Sequence, residues 1–385
     1  MHHFLNEQQE IIRDLARRIA QEKVKPIAAE LDEREEFPHD AVQALAASDL
    51  FAVSVPEEYG GLGGGVLDLC LVVEELSRAC AGVAVTYAAS FLGSLPLVLA
   101  GSPEQKARFL PELASGSRLA AFGLTEAEAG SDAAAMATTA TRQGDDYVLN
   151  GTKQWITNGG EASLYTVIAL TDQKRGARGA SAFLVERGTP GFSFGKKEKK
   201  MGIRCSATRE LVFEDCRIPQ ENLLGKEGSG FVLALKTLDR ARPGVGAQSV
   251  GLAQGALDVA LAYSRQRRQF GQPISSFQAI QHKLADMATH IEAARSLVYA
   301  TARTIDGGAK DYARESAMCK LFASDVAMRV AIEAVQVLGG YGYMRDYPAE
   351  KYMRDAKITQ IYEGTNEIQR NVIALSLIRE QAGRG

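Results

Sequence analysis

The stretch Tyr147-Val-Leu-Asn-Gly-Thr-Lys-Gln-Trp-Ile-Thr157 decides the fold class, because it marks where helical patterning gives way to strands. Asn150-Gly151 stands between two β-prone runs, and this dipeptide is the strongest short signal for a two-residue hairpin turn. Further strands are predicted at 164–170, 180–185 and 210–214, separated by glycine-rich or charged turns. Antiparallel strands joined by short turns predict a compact β-barrel or β-sandwich.

Helical periodicity replaces the strand pattern on both sides of this region. Before it, apolar residues recur at helical spacing over 6–117, with a glycine-rich loop at 56–65. After it come three patterns, over 245–264, 276–305 and 312–338, each too long for an ordinary surface helix and typical of a bundle. The predicted fold is α+β, with an N-terminal helical domain over 1–118, a middle antiparallel β-barrel or β-sandwich domain over 119–228 and a C-terminal four-helix-bundle domain over 229–385.

Composition and charge narrow the classes of function. The chain has 385 residues and a net charge of −3, which gives no basic field for nucleic acid or an anionic membrane. No apolar run reaches the roughly 20 residues that span a bilayer. The N-terminus lacks the basic and apolar regions of a signal peptide. We therefore expect a cytoplasmic protein, or a mitochondrial matrix protein if the chain is a processed mature form.

Sequence signatures of metal and nucleotide sites are missing. The five cysteines are scattered, show no CxxC spacing and fit reduced thiols better than disulfides. The five histidines form no HExxH motif, so we expect no metal site. Neither the Rossmann nor the P-loop glycine signature occurs, so neither kind of nucleotide site is predicted.

Near the C-terminus, Tyr362-Glu363-Gly364-Thr365 interrupts a helical pattern. Glycine lets the backbone turn and approach a ligand closely, so the adjacent carboxylate could stand at the mouth of a cavity. Asn366 is predicted to be the N-cap of a last helix, with Gln369 as its capping-box partner. These residues alone favour the alternative that Glu363 is an ordinary solvated acid in a turn.

Six segments of the chain, taken together, carry a resemblance. They are LTEAEAGSD at 124–132, NGTKQWITN at 150–158, MGIRCSAT at 201–208, RRQFG at 267–271, QVLGGYG at 336–342 and RDAKITQIYEGTNEIQ at 354–369. In this order, over nearly the whole chain, they resemble the acyl-CoA dehydrogenase family of flavoproteins. The resemblance implies an α–β–α subunit, non-covalent FAD, a homotetramer and electron transfer flavoprotein as the redox partner.

The resemblance assigns the chemistry to Glu363 as the catalytic base. A thioester α-carbon is a weak acid, so the base must be close and partly desolvated, with its pKa raised from about 4.3 toward roughly 6–7. By resemblance, the thioester carbonyl accepts hydrogen bonds from the Glu363 N–H and a flavin ribityl hydroxyl, and the β-hydrogen leaves as hydride to flavin N5. The product is a trans-2-enoyl-CoA. The resemblance also implies substrate-binding residues, namely Ser131, Asp239, Arg242, Tyr362 and Gly364.

FAD contacts are also implied by resemblance. They are Thr125, Ser131, Trp155, Thr157, Arg267, Gln269, Phe270, Gln278, Gln336, Gly339, Gly340, Thr365 and Glu367. Several have a simpler alternative: Trp155 could be a core aromatic, Thr125 and Ser131 turn caps, the arginines of 265–268 a solvated face, and Gly339-Gly340 a plain helix end. The family usually has proline where Ala127 stands, which loosens that turn.

One position selects a subgroup within the family. Members acting on isovaleryl-CoA and long chains place their base at the position of Ala241, where this chain has no carboxylate. The sequence therefore favours the short- and medium-chain type, or relatives acting on branched or cyclic acyl groups. Asp239 and Arg242 could equally be an exposed pair. The floor of the acyl pocket is expected around 83–95.

Three alternative functions stay open at this point. An enoyl-CoA reductase could use the same fold. An oxidase could as well, but oxidases are usually longer and carry an extra helical domain, for which 385 residues leave no room. A non-catalytic flavin-binding or nucleic-acid-binding relative belongs to another class, and the presence of Glu363 and the lack of a basic patch speak against it.

Overall fold

Helices form the first third of the chain in the computed structural model, which describes residues 3–382. Capping boxes at Asn6 and Ser102 begin two of these helices, with Gln9 and Gln105 as the reciprocal partners. The helices are α1 (Glu7–Ile19), α2 (Ala28–Arg34), α3 (His39–Ala46), α4 (Val66–Ala79), α5 (Ala81–Ala100) and α6 (Pro103–Ala114).

Helix α5 differs from the expectation that no apolar run is long enough to cross a bilayer. It has 20 residues and a mean hydropathy of 1.8, which together meet the length and composition of a membrane span. However, 67% of that stretch is buried within the protein, where the helix packs on helices α4 and α6. Its apolar character is therefore that of a core helix in this fold.

A mostly antiparallel sheet follows, as predicted. Its strands are β1 (Ala120–Gly123), β2 (Thr139–Gln143), β3 (Asp146–Thr157), β4 (Leu164–Leu170), β5 (Ala180–Glu186), β6 (Phe192–Phe194), β7 (Thr208–Pro219) and β8 (Leu223–Leu224). They pair in the order β6-β7-β3-β2-β4-β5-β8, and β1 pairs with β4 in parallel. Strand β4 is buried along its whole length, because helix α5 covers it.

The hairpin predicted at Asn150-Gly151 is wrong. Both residues lie inside strand β3, and the chain turns instead at Gly144-Asp145, between strands β2 and β3. Asn150 exchanges hydrogen bonds with Asp215 of strand β7, where the register shifts. Gly151 has φ +140°, and a Cβ there would lie 2.6 Å from Thr138 Oγ1. The dipeptide therefore forms an irregularity within the sheet that only glycine accommodates.

The C-terminal third is a helix bundle that contains one small hairpin. Its elements are α7 (Gly230–Gln266), β9 (Arg268–Gln269), β10 (Gln272–Pro273), α8 (Gln278–Asp306), α9 (Ala313–Leu338), α10 (Ala349–Thr359) and α11 (Asn366–Ala382). Helix α7 begins 15 residues before the predicted start at Val245 and continues through Pro243. Proline lacks an N–H and usually interrupts a helix, which obscured the earlier start of this helix in the sequence. Helix α9 ends at the predicted stop, because Gly339 adopts φ +61°.

The N-cap of the last helix is Thr365 rather than the predicted Asn366. Thr365 accepts a hydrogen bond from the N–H of Ile368 through its hydroxyl and another from Gln369 through its carbonyl. The Asn366 side chain is buried and bonds to Ser324 and Lys320 of helix α9 instead. Tertiary partners therefore take the side chain that local sequence assigns to the cap.

Candidate active site

A cavity of about 240 Å³ lies where the three regions of the chain meet. Helix α5 supplies one wall with Val85, Ala88, Ala89, Phe91 and Leu92. The segments 122–133 and 155–157, helix α7 and the corner before helix α11 supply the others. The predicted pocket floor around 83–95 therefore does line a cavity. Eight predicted site residues meet here: Thr125, Ser131, Trp155, Thr157, Arg242, Tyr362, Glu363 and Gly364.

Glu363 stands at the corner in a left-handed conformation, with φ +51°, followed by Gly364 at φ +89°. A non-glycine residue in this region is uncommon and persists where its surroundings hold it. The carbonyl oxygen of Glu363 accepts hydrogen bonds from Arg242 Nε at 3.4 Å and Gln369 Nε2 at 3.2 Å. The next carbonyl, of Gly364, accepts from Gln369 at 2.9 Å and Lys320 Nζ at 2.8 Å. Side chains from three helices thus fix the backbone of the corner.

The carboxylate of Glu363 is left available for chemistry. Its Oε2 atom is buried and has no hydrogen-bond partner among the described residues. Burial raises the pKa of Glu363 from 4.5 to about 7, while the charges of Arg242 and Lys320 act in the opposite direction. A carboxylic acid with a pKa near the working pH is suited to act as a general base.

The main-chain N–H of Glu363 is also unoccupied. Within residues 3–382 no oxygen accepts a hydrogen bond from this N–H. By contrast, the carbonyl oxygens of Glu363 and Gly364 both accept hydrogen bonds from side chains. A free N–H beside a general base can donate to a carbonyl oxygen that gains negative charge. This arrangement fits the hydrogen bond to a thioester that the resemblance implied.

Arg242 and Asp239 form an ion pair of 2.6 Å beside the corner. Only 5% of the Arg242 side chain is exposed, so the alternative of an exposed surface pair does not hold for it. Burial raises the pKa of Asp239, and the Arg242 charge opposes that change. The pair directs the guanidinium so that its Nε reaches the Glu363 carbonyl.

Trp155 is not a core aromatic. It is 57% exposed, has φ +56° and lies where the pairing of strands β3 and β7 is irregular. The irregularity turns the indole out of the sheet toward the cavity that Thr125 and Thr157 also line. A large aromatic side chain left open beside a cavity offers a surface on which a planar ring can stack.

The remaining predicted FAD contacts lie outside this cavity. Arg267, Gln269, Gly339 and Gly340 line a second, open pocket of about 570 Å³ at the end of helix α9. Phe270, at the tip of the β9–β10 hairpin, is 93% exposed. Gln278 and Gln336 are exposed, as is Glu367, while Thr365 caps helix α11. The structure therefore places two groups of the predicted FAD contacts in separate pockets, while Phe270, Gln278, Gln336, Thr365 and Glu367 line neither pocket.

Both groups fit a flavin dinucleotide. The open face of Trp155 fits a planar isoalloxazine ring. In the second pocket, Cβ atoms built at Gly339 and Gly340 meet nothing within 4 Å, so the backbone there is open to a ligand. A metal site is not indicated, since no group of three potential metal ligands occurs within residues 3–382.

Two residues of the site were missed from sequence. Lys320 on helix α9 has a fully buried side chain, and it bonds to both Gly364 and Asn366. Gln369 had been predicted as a capping residue, yet its amide holds the corner carbonyls. A lysine in the middle of an apolar helical pattern was the available signal for Lys320, because buried lysines need nearby partners.

The chain matches three family models, which together cover most of its length. They are the acyl-CoA dehydrogenase N-terminal domain over 6–117, the middle domain over 121–216 and the C-terminal domain over 228–378. The chain is 51% identical to the probable acyl-CoA dehydrogenase FadE25 of Mycobacterium tuberculosis, over 97% of this chain and 96% of that protein.

Two solved structures are similar along the whole fold. Butyryl-CoA dehydrogenase from Megasphaera elsdenii is 48% identical, with a TM-score of 0.96 over 98% of this chain and 100% of that one. A chain in the structure of electron transferring flavoprotein of Acidaminococcus fermentans is 50% identical, with a TM-score of 0.96 over the same shares of the two chains.

The chain therefore belongs to the acyl-CoA dehydrogenase family. The predicted family, the α+β fold, the enzyme class and FAD as the cofactor are confirmed with it. The reading as a non-catalytic relative is set aside. The roles of individual residues remain predictions, which the geometry described above supports to different degrees.

Proposed function

We propose that this enzyme removes hydrogen from the α- and β-carbons of a short acyl-CoA thioester and forms a trans-2-enoyl-CoA, with Glu363 as the base. The observation that carries this proposal is the buried, unpaired carboxylate oxygen of Glu363, whose pKa is about 7, in a cavity beside the exposed Trp155. No other carboxylate lines this cavity among the described residues, so no other side chain there can take the α-proton.

The residues at the corner define the proton transfer. Glu363 takes the α-proton onto a carboxylate oxygen that no protein donor competes for. Its N–H donates to the thioester carbonyl, where negative charge grows as the α-proton leaves. Arg242, Gln369 and Lys320 hold the corner by its carbonyls, so the N–H and the carboxylate keep their orientation during the transfer. FAD, when bound, supplies the acceptor for the hydride that leaves the β-carbon.

The FAD-binding residues fall into two proposed roles. Thr125, Trp155 and Thr157 line the cavity beside Glu363 and would hold the isoalloxazine end. Arg267, Gln269, Phe270, Gly339 and Gly340 form a surface suited to the adenine and phosphate end. Because the two groups occupy different pockets of one chain, we propose that the second group serves the flavin of a neighbouring subunit in a homotetramer. FAD binding and assembly would then stabilise each other.

The walls of the cavity favour a short acyl group. The Tyr362 hydroxyl donates to Gln248 Oε1, and the Gln248 amide donates to the carbonyl of Ala81. A longer chain that separated these groups would leave buried polar atoms unpaired, at about 1–3 kcal/mol each. This agrees with the similarity to butyryl-CoA dehydrogenase. The sequence did not distinguish short acyl groups from medium-length, branched or cyclic ones. The hydrogen-bonded wall of Tyr362 and Gln248 favours the short groups.

The redox partner is proposed to be electron transfer flavoprotein, because a chain of the Acidaminococcus fermentans structure shares this fold at 50% identity. An enoyl-CoA reductase would use the same residues for the reverse reaction, in which hydrogen is added to the double bond. The similarity to a butyryl-CoA dehydrogenase favours the dehydrogenation direction, and the experiment below measures both directions.

The proposal is tested by anaerobic flavin reduction with a panel of straight, branched, cyclic and dicarboxylic acyl-CoA thioesters. Butyryl-CoA should bleach the flavin fastest in the wild-type holoenzyme. Glu363→Gln should retain FAD and lose bleaching, while Glu214→Gln, at an exposed position on strand β7, should behave as wild type. Full bleaching in Glu363→Gln would remove the proposed base. Fastest bleaching by a long or branched thioester would remove the proposed substrate class. Reoxidation of the reduced enzyme by enoyl-CoA, compared with electron transfer flavoprotein, decides the direction.

A further inference from the structure

Two cysteines from distant parts of the sequence meet in the interior, away from the active-site cavity. Cys80 lies in the break between helices α4 and α5, and Cys205 lies in the segment between strands β6 and β7. Their sulfur atoms are 3.9 Å apart, and both thiols are free. This segment contains the MGIRCSAT motif, which takes no part in the catalysis proposed above. The pair therefore links the first helical region to the β region at one point.

The surroundings hold the two sulfurs together. Gly82 makes room for Cys205, since a Cβ at that position would lie 2.3 Å from its sulfur. Lys351 of helix α10 reaches to 3.7 Å from the Cys80 sulfur and forms an ion pair of 2.5 Å with Asp355. Asp355 also accepts a hydrogen bond from the N–H of Ile203, two residues before Cys205. The lysine and the aspartate thus fix both cysteine segments to helix α10.

Cys80 differs electrostatically from the other buried thiols. The hydrogen bond with Cys205 and the Lys351 charge lower the pKa of Cys80 to about 6, although burial opposes them. Burial raises the pKa of Cys216 to about 11 and of Cys319 to about 12. The thiolate is the reactive form of cysteine, and a nearby lysine is a recognised feature of reactive sites.

An open cleft lies next to this buried thiol. Lys351 and Ala79, the residue before Cys80, both line an open cleft of about 630 Å³ between helices α2, α4, α7 and α10. The thiol itself is only 1% exposed, so large reagents are excluded. Lys351 lines the cleft and also reaches the sulfur, so access of a small hydroperoxide would run along its side chain.

We propose that Cys80 and Cys205 are a redox-active pair that forms a disulfide on exposure to a small hydroperoxide. The Cys80 thiolate first attacks the peroxide, the O–O bond breaks, and the released oxygen takes a proton and leaves as water. Cys80 is then a sulfenic acid. The Cys205 thiol attacks its sulfur, the S–S bond forms, and the hydroxyl leaves as a second water with the thiol proton. The two sulfurs lose two electrons in total and the peroxide gains them.

The disulfide needs only a small movement and would join two segments that lead toward walls of the active-site cavity. A sulfur–sulfur bond is about 2.05 Å long, so the two atoms must approach by about 2 Å. Cys80 directly precedes helix α5, which carries Ala88 and Phe91 in the cavity wall. Cys205 leads into strand β7, which pairs with strand β3 at Thr157. The link would therefore restrain helix α5 relative to strand β3, whose residues 155–157 line the cavity.

The experiment exposes the reduced, folded holoenzyme to a low molar excess of hydrogen peroxide, blocks the remaining thiols and maps the peptides by mass spectrometry. We expect a linked Cys80–Cys205 peptide that dithiothreitol removes, while Cys70, Cys216 and Cys319 stay reduced. Cys205→Ser should leave a sulfenic acid at Cys80 that dimedone labels. Cys80→Ser should leave Cys205 unlabelled, and Cys216→Ser should behave as wild type.

The wild-type mapping decides the proposal even if a variant fails to fold. It would be overturned if Cys80 and Cys205 stayed reduced until the protein unfolded. It would also be overturned if peroxide linked a different pair, or if Cys80 progressed to sulfinic acid without linking to Cys205.

Discussion

The ammonium of Lys320 lies 2.8 Å from the carbonyl oxygen of Gly364, and it joins helix α9 to the corner that carries the proposed base. Burial lowers the pKa of Lys320 to about 8, while Glu363 and nearby acids oppose this change. The lysine therefore remains mostly protonated at neutral pH, and it supplies a hydrogen bond to the corner together with a positive charge near the carboxylate.

Lys320→Met should reduce kcat by about tenfold to a hundredfold, because a small displacement of a catalytic group has effects of this size. It should also raise the pKa of Glu363, since the Lys320 charge holds that pKa down. The measurement is the pH profile of kcat with butyryl-CoA, and Lys357→Met, at an exposed position on helix α10, is the matched control. A lower rate with an unchanged pH profile would show that the lysine supports the fold alone.

The pH dependence of the wild-type enzyme follows from Glu363. The base must be ionised to accept a proton, and its pKa is about 7. We expect kcat/KM to rise with pH and to reach half of its plateau near pH 7. Steady-state rates measured from about pH 5.5 to about pH 9 would locate the midpoint, which an unperturbed Glu would place at about pH 4.3. A profile that is level through neutral pH would contradict the assignment.

The ionised form of Glu363 should also lower the free energy of unfolding at alkaline pH. Its pKa is raised on folding, so the folded state binds a proton more tightly than the unfolded chain does. The cost begins as pH rises through the unfolded value of 4.5 and is complete above about 7. Glu363→Gln should therefore raise the free energy of unfolding by about 1–2 kcal/mol at alkaline pH, and by much less near pH 5. Denaturant titration at both pH values measures it, and an equal gain at both would contradict the linkage.

Asp306, at the end of helix α8, caps the start of helix α4. Its two carboxylate oxygens accept hydrogen bonds from the N–H groups of Val66 at 2.7 Å and Leu67 at 2.9 Å. Asp306→Ala should lower the free energy of unfolding by about 1–2 kcal/mol, the usual cost of a lost N-cap. Asp346→Ala, at an exposed position, should change it little. Thermal unfolding compares the two, and equal melting temperatures would show that the cap contributes nothing.

Trp155→Phe separates a cofactor contact from a packing role. Trp155 is 57% exposed, so its replacement should leave the free energy of unfolding of the apoprotein nearly unchanged. The visible absorption of the bound flavin should shift, because the ring beside it changes. An unaltered spectrum together with lost stability would place the side chain in the core.

Local patterns predicted the order of the elements but not their irregularities. The Asn150-Gly151 dipeptide is a strong turn signal, yet Asn150 bonds to Asp215, 65 residues away. Asn366 has the composition of a cap, yet it bonds to helix α9, 42 residues earlier at Ser324. Both errors arise because tertiary partners took side chains that local rules assign to the backbone.

The position of Glu363 was predictable, while its surroundings were not. The family motif identified the carboxylate, and the turn signals placed it between two helices. Lys320 and Arg242 reach the same corner from sites 43 and 121 residues earlier in the sequence. The buried ion pair of Arg242 with Asp239 could not be told from an exposed one by its spacing, because burial depends on what the helix packs against.

The left-handed corner at Glu363 has a consequence for enzyme redesign. Because three helices hold its carbonyls and leave the carboxylate unbonded, the main chain there does not depend on which acid or amide projects from it. Other side chains installed at this position would be presented to the same substrate atoms in the same direction. Replacing this one residue could therefore introduce a different reactive group, while the side chains that bind the backbone of the corner stay in place.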